Sequence, residues 1–326
     1  MKNVLVTGGA GYIGSHTCKL LASAGYQPIC YDNLSTGHAS AVKWGPLIKA
    51  DLRDTQKIKE AIMKFTPLAV IHFAASAYVR ESIENPLKYY QNNVGGTISL
   101  LEAMHDHNMD KMIFSSTCAT YGSIDHGAIS EECPQHPINP YGQSKLMIEN
   151  ILKDLSAINQ LKHISLRYFN AAGDDKDGEI GEWHDPETHL IPLAIKSALD
   201  NTELKVFGTD FNTSDGTAVR DYVHVEDLAR AHVLALENLL AGGESNFINL
   251  GTNKGHSVRE IITALKGLGL SVKSVDAPRR DGEPAYLVAD ATKAKIILGW
   301  QAEHSDLQEI LQSAINWHKI LGKSSL

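Results

Sequence analysis

Tyr141 and Lys145, four residues apart in the run YGQSK, are the side chains best suited to do chemistry in this chain. On a helix, positions i and i+4 share one face. A free tyrosine has a pKa of about 10 and is a poor base near neutrality. An ammonium beside it favours the phenolate and lowers that value. Such a pair can take a proton from a substrate hydroxyl and give it back. The run FSSTCATYG, residues 114–122, supplies further hydroxyls, Thr117 among them. It leaves a predicted strand, residues 111–115, at the end where open α/β sheets bind ligands. Taken singly, both patterns are common on ordinary helices and strand exits.

A glycine-rich turn near the N-terminus gives them a context. TGGAGYIG, residues 7–14, satisfies G-x-G-x-x-G through Gly9, Gly11 and Gly14, and G-x-x-G-x-x-G through Gly8, Gly11 and Gly14. A strand is predicted before it at 3–7 and a helix after it at 14–24. Glycines there permit a tight turn and let the backbone approach a pyrophosphate. Free N–H groups at the helix N-terminus then face the phosphates. Asp32 ends the next predicted strand, 28–32, at 18 residues beyond Gly14. A carboxylate at that place bonds ribose hydroxyls and repels a 2′-phosphate, which favours NAD over NADP. Asp51, after the strand-like run 47–50, is placed for an adenine contact by the same geometry.

The elements that must position these residues alternate along the first half. Strands are predicted at 70–74 and 163–168 as well, with helices at 88–105 and 141–158. Alternation at this spacing implies βαβ units, a parallel sheet and helices on both faces. After Asn170 the texture changes. Residues 174–187 are rich in Gly, Asp, Glu and Pro, as a loop entering a new region would be. A strand is expected at 246–252, helices at 257–268 and 306–321, and a loop at 277–284. The expected fold is α/β: a Rossmann-like doubly wound parallel sheet with a smaller, mixed α/β C-terminal substrate domain. The expected boundaries are 1–173 plus 220–251 for the dinucleotide domain, and 174–219 plus 252–326 for the substrate domain.

Composition narrows the partners. The 326 residues carry a formal net charge of −8, with 43% hydrophobic and 21% charged residues. No basic block stands out, which argues against nucleic acid as the main partner. Cys18, Cys30, Cys118 and Cys133 form no C-x-x-C motif, so reduced thiols in the cytoplasm are expected. The N-terminal apolar run breaks at glycine too early for a signal-peptide core. No apolar stretch is long enough to span a bilayer, so no membrane partner is expected. Of the fifteen histidines, His105 and His107 fall on a helix, while His184 and His189 fall in a loop near Asp185 and Glu187. No H-E-x-x-H occurs, and the expectation is no metal. Cys118 reads as a packing neighbour, since nothing beside it activates a thiolate. The stripe Ile148, Ile151, Leu152 and Leu155 reads as helix packing, with part of that face open to a homodimer seam.

TGGAGYIG, FSSTCATYG and YGQSK together resemble the extended short-chain dehydrogenase/reductase group. NNVGGT (92–97), LRYFNAAG (166–173), VRDYVHVEDLA (219–229) and PRRDGEPAYLVAD (278–290) narrow the resemblance to the UDP-glucose 4-epimerase family. It covers essentially the whole chain. The resemblance implies Tyr141 as base, Lys145 as its partner and Thr117 as the catalytic hydroxyl. It implies NAD contacts from Gly8, Gly11, Tyr12, Ile13, Gly14, Asp32, Asn33, Asp51, Leu52, Phe73, Asn92, Tyr141, Lys145 and Phe169. It implies nucleotide-sugar contacts from Thr117, Tyr141, Asn170, His189, Leu190, Phe207, Arg220, Arg280, Glu283 and Tyr286. Two arginines suit a pyrophosphate, because each offers a planar fork of donors.

The implied reaction is interconversion of UDP-galactose and UDP-glucose through a 4-keto sugar, by a homodimer. The bulk of Tyr286 implies a preference against N-acetyl sugars. Three positions depart from the pattern. Ala77 stands where many members carry a lysine, with Arg80 as a compensating cation. His189 stands where asparagine is common, and Glu283 where aspartate is usual. A 4,6-dehydratase would need an Asp-Glu pair after the threonine, where this chain has Cys118 and Ala119. Epimerases of UDP-uronates, pentoses or N-acetylhexosamines remain open alternatives, as does a simple reductase, which would consume NADH stoichiometrically. A non-catalytic NAD sensor fits less well, since it has no need of Thr117, Tyr141 and Lys145 together.

Overall fold

Val4, Leu5 and Val6 are all buried with no alternation of exposure, which marks a central strand covered on both faces. The computed structural model describes residues 2–124, 127–280 and 283–324. The first half runs β1 (Lys2–Thr7), α1 (Tyr12–Ser23), β2 (Tyr26–Asp32), β3 (Leu47–Lys49), α2 (Thr55–Phe65) and β4 (Val70–His72). It continues through α3 (Val79–Glu84), α4 (Pro86–Tyr89), α5 (Gly96–Asp106), β5 (Lys111–Thr117), α6 (Pro140–Ala157) and β6 (Lys162–Tyr168). The helix expected over 88–105 is interrupted by a π-helical segment, Tyr90–Gly95. Such segments widen a helix locally and recur at functional sites.

The second half carries β7 (Asn170–Ala172), α7 (Leu190–Asp200), β8 (Glu203–Phe207), β9 (Val219–Arg220), β10 (Tyr222–His224), α8 (Val225–Leu240) and β11 (Asn246–Leu250). It ends with β12 (His256–Ser257), α9 (Val258–Gly267), β13 (Lys273–Ala277), β14 (Tyr286–Leu287), α10 (Thr292–Leu298) and α11 (Leu307–Ser324). Helices α7, α8 and α10 go beyond the sequence expectations.

Seven parallel strands form the main sheet in the order β11-β6-β5-β4-β1-β2-β3. Alternate residues of β1 feed separate cores. Val4 and Val6 pack with Leu21, Leu236 and Leu298 on one face. Leu5 packs with Ile58, Leu100 and Ile148 on the other. The strand order reverses between β1 and β4, which opens a crevice at their C-terminal ends. A separate core joins Ile191 and Ile195 of α7, Ile261 and Leu265 of α9, and Ile310, Leu311 and Ile315 of α11. Short strand pairs and a three-stranded ribbon, β12-β9-β14, accompany it. Helix α10 and Trp300 return to the core of the main sheet, where the Trp300 indole donates to the Asp227 carbonyl at 2.9 Å. Among the described residues, no helix is long and apolar enough to cross a membrane.

Candidate functional site

The glycine turn is shaped by contacts that exclude a Cβ. Gly8 has φ +74, and a Cβ there would lie 2.6 Å from the Ala74 nitrogen. At Gly14 a Cβ would lie 2.2 Å from the Gly8 carbonyl oxygen, so this glycine lets α1 press on the turn. Gly11 differs: a Cβ would meet only the Gly8 oxygen, at 3.4 Å. It is also the N-cap of α1 and offers no side-chain cap. The first N–H groups of α1 therefore lack a side-chain acceptor and have open backbone in front of them, the arrangement that receives a pyrophosphate.

Asp32 closes the turn from below. Its carboxylate accepts from the Ala10 N–H at 3.0 Å and the Leu34 N–H at 2.8 Å. Burial raises its pKa, and these two donors pull it back. No side-chain cation pairs with it among the described residues, so a 2′-phosphate would meet an uncompensated carboxylate. Asp51 accepts from Arg53 and from Asn33 Nδ2, and Arg53 holds its carboxyl well below the usual range. These groups fit the adenosine end of NAD.

Other cofactor-side positions divide by what their side chains touch. The Tyr12 hydroxyl donates to the Gly173 carbonyl. Ile13 packs against the sheet core, and Leu52 is buried beneath Gly96. Phe73 borders Gly8 through its backbone, while its ring packs on His232 at 4.5 Å. Phe169 is buried with Cys118, Tyr121 and Ile129. Asn92 lies in the π-helical segment and donates to Asn93 Oδ1 at 3.1 Å. Asn93 was not foreseen. Its amide donates to the Ser76 carbonyl and to Ser144 Oγ, each at 3.0 Å, and so ties the loop after β4 to α6. Arg80 does not replace the lysine missing at Ala77. Its side chain is 92% exposed and pairs with Glu84 one turn away.

Tyr141 is fixed by the start of α6. The Asn139 side chain accepts from the Gly142 N–H at 2.8 Å, and Pro140 opens the helix. A Cβ at Gly142 would lie 2.4 Å from the Ala119 oxygen, so α6 sits directly on the turn that follows Thr117. Thr117 ends β5, is 6% exposed, and accepts from the Ala119 N–H at 3.1 Å. Lys145 is 3% exposed. Its ammonium donates to the Ser115 carbonyl at 2.8 Å and lies 6.0 Å from the centre of the Tyr141 ring.

The electrostatics correct one expectation. Burial lowers the Lys145 pKa to about 7, with Glu149 partly restoring it. Burial also raises the Tyr141 pKa, with Tyr168 and Cys118 adding and the Thr117 hydroxyl opposing. Lys145 therefore does not depress Tyr141 in the protein alone, because desolvation penalises both charged forms. Burial likewise pushes the Cys118 thiol up to about 12, against the pull of Arg220, which suits a packing residue.

Beneath the trio lies a polar network that spacing did not reveal. Arg167 and Glu149 are 4% and 2% exposed at the side chain and pair at 2.7 Å. Ser116 donates to Glu149 at 2.6 Å, Arg167 to the Tyr121 hydroxyl at 2.8 Å, and Tyr121 to Asn249 at 2.7 Å. Two signals were available: Glu149 one turn after Lys145, and a lone arginine inside the strand HISLRY.

Among the residues expected to meet the nucleotide-sugar, Arg220 of β9 donates to Glu283 at 3.1 Å, and its charge pulls on the Cys118 thiol beside Thr117. Tyr286 of β14 pairs with Val219 of β9 and is 38% exposed. Arg280 stacks its guanidinium 3.9 Å from the centre of the Phe207 ring. Asn170 donates to the Asp221 carbonyl at 3.1 Å. Residues 281 and 282 of the PRRDGEPAYLVAD segment lie outside the described residues. Leu190 opens α7 and packs toward the third core. The His189 imidazole is engaged by Glu182 instead, next to His184. Glu182, His184, Glu187 and His189 thus come together, although the sequence shows them only as a loop with scattered histidines.

This geometry has clear relatives. Residues 4–251 match the NAD dependent epimerase/dehydratase family, Epimerase. A UDP-glucose 4-epimerase of Rhizobium meliloti is 52% identical over 318 residues, covering 97% of each chain. The chain belongs to the UDP-glucose 4-epimerase family. A solved UDP-glucose 4-epimerase from Brucella ovis, in complex with NAD, superposes on it with a TM-score of 0.94 at 52% identity, covering 97% of this chain and 98% of that one. Another, from Bifidobacterium longum in complex with NAD+ and UDP, gives 0.92 at 38% identity, covering 98% of each. The Rossmann-like sheet of this UDP-glucose 4-epimerase family member, its glycine turn and its NAD dependence agree with the sequence expectations.

Proposed function

We propose that this protein interconverts UDP-galactose and UDP-glucose by NAD-dependent 4-epimerisation through a 4-keto sugar. The observation that carries the reading is the meeting of Thr117, Tyr141 and Lys145 where the start of α6 presses on the turn after β5. Tyr141 takes the proton of the C4 hydroxyl and later returns it, with Thr117 bridging sugar and phenol. NAD, held by the glycine turn and Asp32, would supply a reversible hydride acceptor for C4, so that hydride returned to the other face of the 4-keto sugar would give the epimer. Lys145, held by the Ser115 carbonyl, supplies positive charge that a forming phenolate needs. Arg220 and Arg280 hold the pyrophosphate, and Phe207 offers a face to the uracil. Glu283 serves the ribose, and Tyr286 limits the space beside C2 of the sugar.

Residues 1–173 with 220–251 hold the dinucleotide in this reading, and 174–219 with 252–326 hold the nucleotide-sugar. A homodimer is supported by an apolar cleft between α5 and α6, lined by Ile98, Leu101, Met104, Ile151 and Leu155. Cytoplasmic placement is supported by four free cysteines.

The test is a product assay. Purified protein is incubated with UDP-galactose and catalytic NAD, and the sugars are followed by NMR. Formation of UDP-glucose without net NADH is expected. No conversion by folded, NAD-loaded protein would overturn the substrate assignment and point to UDP-uronates, pentoses or N-acetyl sugars.

A further inference from the structure

Between β7 and α7 the chain runs from residue 173 to 189 with no helix or strand. A connection this long is uncommon in a compact domain unless it does something or is held by something. Four of its side chains converge. Ligand-type atoms of Glu182, His184, Glu187 and His189 all lie within 4.8 Å of one another.

Both imidazoles pair with Glu182, but ion pairing does not account for their directions. His184 and His189 aim the same atom, Nδ1, at one oxygen, Glu182 Oε1. His184 Nδ1 lies 3.1 Å from that oxygen, yet it is buried and makes no hydrogen bond. A nitrogen this near but off the hydrogen-bond line suits two ligands facing a common point. No lysine or arginine pairs with Glu182 or Glu187 among the described residues. The neighbouring acidic group provides a contrast. Asp175, Asp177 and Glu179 surround Lys19, whose ammonium lies 2.8, 2.7 and 2.8 Å from them. That group already has its cation.

The four side chains are also held from outside. The Glu182 side chain is 3% exposed. Its backbone N–H donates to Asp174 and its carbonyl accepts from the Trp317 indole at 2.9 Å. Glu187 Oε1 accepts from the Thr188 and His189 N–H groups at 2.7 and 2.8 Å, which leaves Oε2 facing His184 at 3.6 Å. Outer hydrogen bonds of this kind orient metal ligands.

We propose that Glu182, His184, Glu187 and His189 bind one divalent transition-metal ion of the zinc class. Two imidazoles and two carboxylates match the number and type of ligands in a closed tetrahedral site. The nitrogens select against magnesium and calcium, which take oxygen ligands. The role is structural. The ion crosslinks the 182–189 segment where Tyr12 of the glycine turn and Tyr78 of the loop after β4 approach His184, at 6.2 and 6.0 Å between ring centres. It thereby fixes the start of α7. The inference does not depend on the epimerase reading, because its readouts are metal content and stability.

The experiment uses the full chain, purified without a histidine tag and without chelator, and then dialysed. Metal content is measured by plasma mass spectrometry. About one zinc-class ion per chain is expected. Stripping with dipicolinate should lower Tm by roughly 5 °C or more, and zinc chloride should restore it. Cobalt chloride added to the stripped protein should give the visible absorption of tetrahedral cobalt. The double variant His184→Ala/Glu187→Gln should lose the ion while still binding NAD. Less than about a tenth of an ion per chain, with no change in Tm on adding zinc or cobalt chloride, would overturn the site. Full metal content in the double variant would overturn it equally.

Discussion

Of the residues proposed for the reaction, Thr117 closes a strand of 7 residues and Tyr141 and Lys145 ride a helix of 18. Of those proposed for the nucleotide-sugar, Arg220 and Tyr286 sit on strands of 2 residues each. The first set takes its geometry from long regular elements pressed together at glycines. The second takes it from one short ribbon, one stacked guanidinium and one ion pair. Desolvation follows the same division. Lys145 is 3% exposed and strongly perturbed by burial, whereas Tyr286 is 38% exposed. On the proposed function, a buried, rigid reaction centre beside a more open sugar pocket suits an intermediate that must present both faces to one hydride site.

That contrast is broken most directly by removing chemistry from the rigid side. Tyr141→Phe should lower kcat by roughly 10²–10⁴-fold while NAD and UDP still bind. Single-turnover kinetics with UDP-galactose measure it, and unchanged turnover would remove Tyr141 from its role. Arg167→Met tests the network below. It strands Glu149, which is 2% exposed at the side chain, and should destabilise the fold by about 3–5 kcal/mol, read by urea unfolding. Lys145 gives the pH test. Its folded pKa of about 7 lies below the unfolded value of about 10.4. Between these values the unfolded chain holds a proton that the folded one lacks, so this group makes stability rise with pH across that window. The slope should approach about 1.4 kcal/mol per pH unit. Lys145→Met should remove that contribution and abolish turnover, and an unchanged slope would place the ammonium elsewhere.

The open side should respond more gently. Arg280→Ala should raise KM about tenfold, near 1.4 kcal/mol, with kcat little changed. An equal loss in kcat would mean that the Phe207 stack also orders the reaction centre. Tyr286→Ala should improve kcat/KM for UDP-N-acetylgalactosamine relative to UDP-galactose by a few-fold to tenfold. Equal use of both sugars by the unmodified protein would show that Tyr286 sets no limit.

Much of the rigid side was legible in advance, because its geometry is local. Gly8, Gly11 and Gly14 are read from spacing, and Tyr141 and Lys145 lie one helical turn apart. Asp32 is legible because a strand must end before the turn it closes. Legibility failed where burial or long-range pairing decides. Spacing predicts that Lys145 depresses the Tyr141 pKa, but in the folded chain desolvation dominates and moves each group toward its neutral form. Arg80 has the right charge, yet its helix directs it to Glu84 and solvent. Asn93 matters through a π-helical segment inside a run that reads as continuous helix.

Sequence by itself determined the α/β order, the dinucleotide turn and the Tyr–Lys pair, since each depends on periodicity or spacing within a few residues. Only the tertiary structure joined Arg167 to Glu149 across 18 positions, stacked Arg280 on Phe207 and returned α10 to the first core. It also gathered Glu182, His184, Glu187 and His189 from a segment with no periodicity at all. Such contacts depend on where chain segments meet after loops close, and no local pattern encodes that meeting.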